Sequence, residues 1–257
     1  MEDDEAPSVS ARDAVVDRLA KSAVAAVSAG LRARKPKHAE KAAVYLTKAV
    51  LDQAGYDRAA VLDNLTQQGI DAETMLDYCI PRAAEALGTG WVEDELTFTS
   101  VSAATSRLYG LSKAVGEEWD GLAGAGDGLN ILLVSFRRED HLLGPGILAQ
   151  QLRRRSHSVH AMSNTDSAAI RERLDALSFD CILVSVASLV SLDTATEELA
   201  QLRKWNCIDI PVVIGGGAFG FRSGTPEEFH VDLIESDIDV AVSKIEALRS
   251  ENAGRNP

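Results

Sequence analysis

The feature that most constrains this chain is a change of pattern at Gly121-Leu-Ala-Gly-Ala-Gly-Asp-Gly128. Before it, Ala and Leu recur every three or four residues, which is typical of amphipathic helices. After it, short apolar runs alternate with amphipathic stretches, which is typical of a parallel sheet with helices on both faces. Four glycines in eight residues, without an apolar face, indicate a linker. We therefore predict an N-terminal helical bundle followed by a doubly wound, Rossmann-like α/β domain.

This change divides the 257 residues into four predicted parts. Residues 1–10 are acidic and polar and are predicted to be a disordered tail. Residues 11–120 form the bundle, 121–128 the linker and 129–257 the α/β domain. The bundle helices are predicted at 14–31, 39–54, 58–68, 72–87 and 100–119, with Asp71 and Ser100 as N-caps and Gly88 as a stop.

The α/β domain is predicted to contain five strands. They are expected at 131–135, 158–162, 181–185, 211–214 and 231–234, with helices at 143–154, 167–177, 195–205 and 240–248. In sheets of this kind ligands bind at the carboxyl ends of the strands, so residues that follow the strands are the candidates for a site.

Charge restricts the partners of the chain. It carries 39 acidic and 26 basic residues, a net charge of −13. This balance disfavours direct binding to nucleic acid or to an anionic membrane and favours a basic protein partner. The N-terminus is acidic where a signal peptide would be basic, and no apolar run reaches ~18 residues, so we predict a cytoplasmic protein. Three dispersed cysteines without a C-x-x-C motif argue against a disulfide framework or a zinc site.

The first predicted strand ends in a segment that contains one histidine and two carboxylates. Glu139 and Asp140 directly precede His141, and either carboxylate could orient the imidazole as support for a metal ligand. Gly144 leaves room for a bulky group to approach the backbone. The alternative is that His141 only caps a loop.

Two further strand ends carry hydroxyls and glycines. The third strand is followed by Ser185, Ser188 and Ser191, and the fourth by Gly215-Gly216-Gly217. Singly, these glycines could do no more than turn the chain. Together with His141 at the same edge of the sheet, they predict a site for a large, metal-bearing cofactor.

This arrangement resembles the cobalamin-binding domain of methionine synthase, corrinoid methyl carriers and light-sensing regulators. The family pattern is D-x-H-x-x-G, then S-x-L, then G-G. Here Glu139-Asp-His-Leu-Leu-Gly144 matches with Glu in the first position, and Ala187 replaces the leucine. The resemblance implies that His141 displaces the dimethylbenzimidazole tail from cobalt, and that the tail inserts beside the sheet past Gly215 and Gly216.

The same resemblance implies roles for the serines and for the helical part. Ser185 would bond the nucleotide tail, and Ser191 would join the histidine–carboxylate relay. Trp91 and Phe98 would cover the upper face of the corrin, although an ordinary helix-packing pair is the alternative. Adenosylcobalamin photoreceptors carry this tryptophan, nine further residues and then Glu-His, where this chain has Val101-Ser102. An aquo or hydroxo ligand is therefore favoured over adenosyl.

The spacing Trp91-x-x-Asp94-x-x-x-Phe98-x-x-Val101, preceded by Tyr78-Cys-Ile-Pro81, is similar to that of the PpaA/AerR group. These are regulators of photosynthesis genes in purple bacteria. The resemblance implies a light- or redox-responsive antirepressor that binds a DNA-binding transcriptional repressor and is not an enzyme.

Two alternatives stay open from the sequence. A corrinoid methyl-carrier subunit of a methyltransferase system would have the same layout of bundle and sheet. Haem could occupy the same pocket as a redox sensor, because imidazole binds iron as well as cobalt.

Overall fold

The computed structural model describes residues 38–122 and 128–253. The predicted tail at 1–10, the predicted helix at 14–31 and linker residues 123–127 lie outside the described residues. None of the described helices is long and apolar enough to cross a membrane.

The helical bundle is formed by residues that precede the linker. Its elements are α1 (Ala39–Leu51), α2 (Arg58–Gln67), α3 (Ala72–Thr74), a π-helical turn (Met75–Cys79), α4 (Ile80–Val92), α5 (Phe98–Gly116) and a 3-10 turn (Glu117–Leu122). The segment from α3 through the π-helical turn to α4 is continuous. Asp71 caps it, as predicted, by accepting a hydrogen bond from the Thr74 N–H at 2.7 Å.

Two predicted boundaries in the bundle are wrong. Gly88 does not stop its helix, because α4 continues to Val92. The turn after Val92 is closed by the carbonyl of Gly90, which accepts the N–H groups of Glu95 and Leu96 at 2.8 and 3.0 Å. The N-cap of α5 is Thr97 and not Ser100, since the Thr97 hydroxyl accepts the Ser100 N–H at 3.2 Å.

The second part of the chain is a five-stranded parallel sheet with the order β2-β1-β3-β4-β5. The strands are β1 (Asn130–Phe136), β2 (Ser158–Thr165), β3 (Cys181–Ser185), β4 (Val212–Gly215) and β5 (Leu233–Ile234). The connecting helices are α6 (Leu143–Arg154), α7 (Ser167–Ala176) and α8 (Leu189–Lys204), a 3-10 turn follows β4 (Gly217–Gly220), and α9 (Ile238–Ala253) comes last. The predicted α/β fold class is confirmed.

One helix of the α/β part starts earlier than predicted. Helix α8 begins at Leu189 and not near residue 195, because Ser188 and Ser191 form a capping box. In this box the hydroxyl of each serine accepts a hydrogen bond from the backbone N–H of the other. A cap of this kind stabilises a helix end by about 1 kcal/mol.

Helix α6 belongs to both parts of the molecule. One face of α6 covers the sheet, where Ala149 and Leu152 pack with Ile131 of β1. Leu143 and Ile147 of the same helix lie within the core of the bundle. Since apolar side chains from both parts bury each other there, α6 connects the carboxyl edge of the sheet to the bundle.

Candidate functional site

The centre of the candidate site is the loop between β1 and α6, where Glu139 holds His141. The Glu139 side chain is only 1% exposed, and one of its oxygens lies 2.8 Å from His141 Nδ1 and 2.9 Å from the His141 backbone N. With Nδ1–H donating to this carboxylate, the lone pair of Nε2 is left for a metal. The imidazole is 27% exposed and lines a groove, so its free nitrogen is accessible.

Glu139 is fixed by two further donors from the segment that follows β3. Its second oxygen accepts the Ala187 backbone N–H at 2.6 Å, and the Ser191 hydroxyl bonds the same carboxylate. Burial raises the pKa of Glu139, but the hydrogen bonds from His141, Ser191 and Ala187 outweigh it, and the pKa lies below its ordinary value. The carboxylate is therefore charged at neutral pH and can accept the imidazole N–H.

The glycines after β4 allow two backbones to approach. A Cβ on Gly216, whose φ is +122°, would lie 2.3 Å from the Val186 carbonyl oxygen. A Cβ on Gly215 would lie 2.1 Å from the Glu235 carbonyl oxygen. Both glycines are thus required by the fold itself. Gly144 differs, because a Cβ there would meet no atom within 4 Å.

A groove of about 390 Å³ runs from His141 along α6 and over β3 and β4 towards the start of α9. Its apolar walls include Leu148, Leu183, Val213 and Ala241. Sites for small molecules and cofactors commonly have this size and this mixture of apolar walls with a few polar groups. Of the predicted site residues, His141, Gly144, Ser185, Gly215, Gly216 and Gly217 line the groove.

The remaining predicted residues lie elsewhere. Ser188 and Ser191 are buried at the start of α8. Asp140 is exposed, so the carboxylate that orients His141 is Glu139, although the sequence left both open. Trp91 and Phe98 do not line the groove, although their ring centroids are 6.2 Å apart and Phe98 is 69% exposed.

Sequence reasoning missed a polar cluster between the groove and the bundle. Asp77, in the π-helical turn, accepts hydrogen bonds from Gln151 Nε2 at 2.9 Å and from Arg154 Nη2 at 2.8 Å. All three residues line the groove. A signal was present, since Asp77 interrupts an apolar helix segment, and Gly144, Leu148, Gln151 and Arg154–Arg155 recur at helical spacing.

The far wall of the groove carries a second ion pair. Arg155, at the end of α6, binds Asp239 of α9 with Nε–Oδ1 and Nη2–Oδ1 distances of 2.8 and 2.7 Å. The polar contacts across the groove depend on how α6 and α9 pack, which the sequence does not display.

No family model matches this chain. It is 26% identical over 185 residues to an uncharacterized 20.5 kDa protein of Rhodobacter capsulatus from the bchF-crtJ intergenic region. The alignment covers 72% of this chain and 96% of that protein.

Among solved structures, the chain is similar to the monomethylamine corrinoid protein of Methanosarcina barkeri. The TM-score is 0.65 at 12% sequence identity, and the match covers 81% of this chain and 99% of that chain. The match extends over both the helical part and the sheet, so the combined architecture predicted from the sequence is one that a known corrinoid protein has.

Proposed function

We propose that this protein binds cobalamin through His141 and acts as a light- or redox-responsive regulator that binds a DNA-binding repressor. The observation that carries the proposal is the contact between Glu139 and His141 Nδ1 at 2.8 Å, which leaves Nε2 accessible beside a groove. Metal-bound histidines usually have such a carboxylate or carbonyl on their second nitrogen. The likeness to a corrinoid protein supports a cobalamin cofactor.

The residues of the groove fit a corrinoid with its tail displaced. Gly144 lies next to the His141 loop, and space is open where its side chain would be. The apolar walls at Leu148, Leu183, Val213 and Ala241 suit a flat, apolar base. Ser185, at the end of β3, provides a hydroxyl at the groove. The replacement of a family leucine by Ala187 leaves this part of the groove wider.

The regulatory part of the proposal rests on the resemblance to the PpaA/AerR group. The Rhodobacter capsulatus relative from the bchF-crtJ intergenic region is consistent with that resemblance. Bound cobalamin would supply a visible-light chromophore and a cobalt whose upper ligand exchanges. This chain supplies a sensor-like connection, because α6 begins beside His141 and packs into the bundle through Leu143 and Ile147. A ligand that favours one arrangement of the bundle shifts the population towards it.

The surface charge favours a basic partner. With a net charge of −13, the chain would be attracted to the DNA-binding part of a repressor and repelled by DNA itself. Binding of that part of a repressor would compete with operator DNA, which is how an antirepressor acts.

The cofactor is tested by titrating the protein with aquocobalamin, adenosylcobalamin and haem, and recording visible spectra for the wild type and His141→Ala. We expect aquocobalamin to bind most tightly, and His141→Ala to weaken it at least about 100-fold, as loss of a metal ligand does. An unchanged spectrum and affinity in His141→Ala would remove the ligand assignment. Tighter binding of haem would favour the haem alternative.

The partner is tested by measuring the affinity of the cobalamin-loaded protein for a candidate repressor in the dark and after illumination. We expect the two affinities to differ in the wild type and not in His141→Ala. Equal affinities would leave redox or vitamin sensing. Turnover of the cobalt spectrum on addition of a methyl donor and a reductant would instead favour a methyl carrier.

A further inference from the structure

The contact between the bundle and α6 contains a buried carboxylate of the bundle that is hydrogen-bonded by side chains of α6. Asp77 is 9% exposed and accepts hydrogen bonds from Gln151 and Arg154, and Glu73 lies 3.4 Å from the same guanidinium. Asp77 belongs to the π-helical turn, all five residues of which are buried. Such turns within α-helices frequently occur at functional sites.

The same polar groups also line the groove. Asp77, Gln151 and Arg154 line the same groove as His141. Anything that fills the groove therefore meets the side chains that hold the bundle to α6. Because a hydrogen-bonded cluster of this kind has few alternative geometries, an occupant that shifts Gln151 or Arg154 also shifts Asp77.

The contact between the bundle and α6 is also incompletely hydrogen-bonded. In residues 38–122 and 128–253, three buried side-chain atoms make no hydrogen bond, namely Ser135 Oγ, Gln150 Oε1 and Arg154 Nη1. Two of these belong to α6, where Gln150 lies against Gly116 and the Arg154 guanidinium lies 5.5 Å from the Trp119 ring centre. An unsatisfied buried polar group costs about 1–3 kcal/mol, so rearrangement of this contact is less costly than for a fully bonded one.

From these observations we infer that Asp77 couples the bundle to the groove, as a positioning residue that acts through Gln151 and Arg154. The inference rests on the proposed function, because the occupant is taken to be the cobalamin held by His141. Occupation of the groove stabilises one arrangement of this cluster and thereby one position of the bundle. By reciprocity, the position of the bundle changes the affinity of the groove for its ligand.

The test is hydrogen–deuterium exchange of backbone amides in residues 75–92, with and without aquocobalamin. Four proteins are compared: wild type, Asp77→Asn, Gln151→Met and the control Asp239→Asn. The control breaks the ion pair with Arg155, which also lies on the groove but joins α6 to α9 and not to the bundle. Visible spectra of the same samples report whether His141 binds cobalt.

In the wild type and Asp239→Asn we expect aquocobalamin to slow exchange at least about fivefold, the lower end of typical coupling between sites. In Asp77→Asn and Gln151→Met the change should fall below about twofold while the cobalt spectrum is retained. If Asp77→Asn does not fold, Gln151→Met decides.

Three results would overturn the inference. Asp77→Asn and Gln151→Met could both retain the slowing of exchange seen in the wild type, or Asp239→Asn could lose this slowing to the same extent. Exchange in the wild type could also stay unchanged although the spectrum shows ligation by His141, which leaves the proposed function intact. A wild type without any spectral change would overturn both the proposed function and the inference.

Discussion

The sheet side and the bundle side of the molecule differ in how firmly they hold the residues that were predicted to meet a cofactor. On the sheet side, Glu139 is buried and receives hydrogen bonds from His141, Ala187 and Ser191. On the bundle side, Trp91 and Phe98 form a tilted ring pair near an exposed turn, and Phe98 is 69% exposed. The difference shows that His141 is held in place by its surroundings on the sheet side, whereas the ring pair on the bundle side is held less firmly.

The largest effect should follow from removing the support of the imidazole. We expect Glu139→Ala to reduce the affinity for aquocobalamin about 10–100-fold, the usual cost of losing an orienting partner of a metal ligand. Binding is measured by spectral titration. The matched control is Asp140→Ala, which removes the neighbouring exposed carboxylate and should change the affinity less than twofold. Equal losses in the two variants would contradict the assignment of Glu139.

The second prediction separates two glycines on the sheet side. Gly216→Ala should destabilise the protein by about 1–3 kcal/mol, because its positive φ and the Val186 carbonyl leave no place for a Cβ. Gly144→Ala should leave the free energy of unfolding unchanged or slightly higher, since it improves helix propensity in open space. Denaturant unfolding measures both. A loss of stability in Gly144→Ala as large as in Gly216→Ala would refute this distinction.

The bundle side should contribute less to affinity. We expect Phe98→Ala and Trp91→Ala each to weaken aquocobalamin binding by less than about tenfold, or ~1.4 kcal/mol. Spectral titration is again the measurement, with His141→Ala as the reference for a full loss. A loss of affinity equal to that of His141→Ala would show that the bundle side holds the ligand as firmly as the sheet side does.

The smallest effect concerns pH and lies away from both sides of the site. His157 Nδ1 accepts the Leu129 N–H at 3.0 Å where the chain enters β1. Burial lowers the pKa of His157, Glu246 opposes this and Arg155 adds to it. The neutral form is therefore favoured by folding. Its contribution to stability is complete above the unfolded pKa of about 6.5 and is lost as the pH falls.

His157→Asn tests this, because the Asn side-chain oxygen can still accept the Leu129 N–H but does not titrate. The free energy of unfolding should fall less between pH 7.5 and 5.5 in the variant than in the wild type, by a few tenths of a kcal/mol to about 1 kcal/mol. Parallel pH profiles would show that His157 is not responsible.

The sequence predicted the fold well where its pattern was strong. The strand at Cys181–Ser185 and the helix at Leu143–Arg154 have the predicted bounds, because uninterrupted apolar runs and helical spacing are unambiguous there. The start of α8 was missed, since a capping box of two serines was interpreted only as a set of hydroxyls. The stop at Gly88 was wrong, since α4 continues to Val92 and is followed by a turn in which the Gly90 carbonyl accepts the Glu95 and Leu96 N–H groups.

The site was predictable only in part for a related reason. His141, Ser185 and the glycines follow strand ends, so the topology alone brings them together at the groove. The choice between Glu139 and Asp140 required the loop conformation, in which one side chain turns inward and the other outward. Short-range patterns can single out Asp77 and the polar face of α6, but they do not show that these two distant parts of the chain meet.

The shared use of the Glu139 carboxylate has a consequence for any metal bound at His141. The Ala187 amide and the Ser191 hydroxyl take part of the negative charge that would otherwise be directed to the imidazole. If the loop after β3 moved away, the imidazole would gain imidazolate character and become a stronger electron donor. The segment that follows β3, which supplies no metal ligand, would thus adjust how strongly His141 holds a metal.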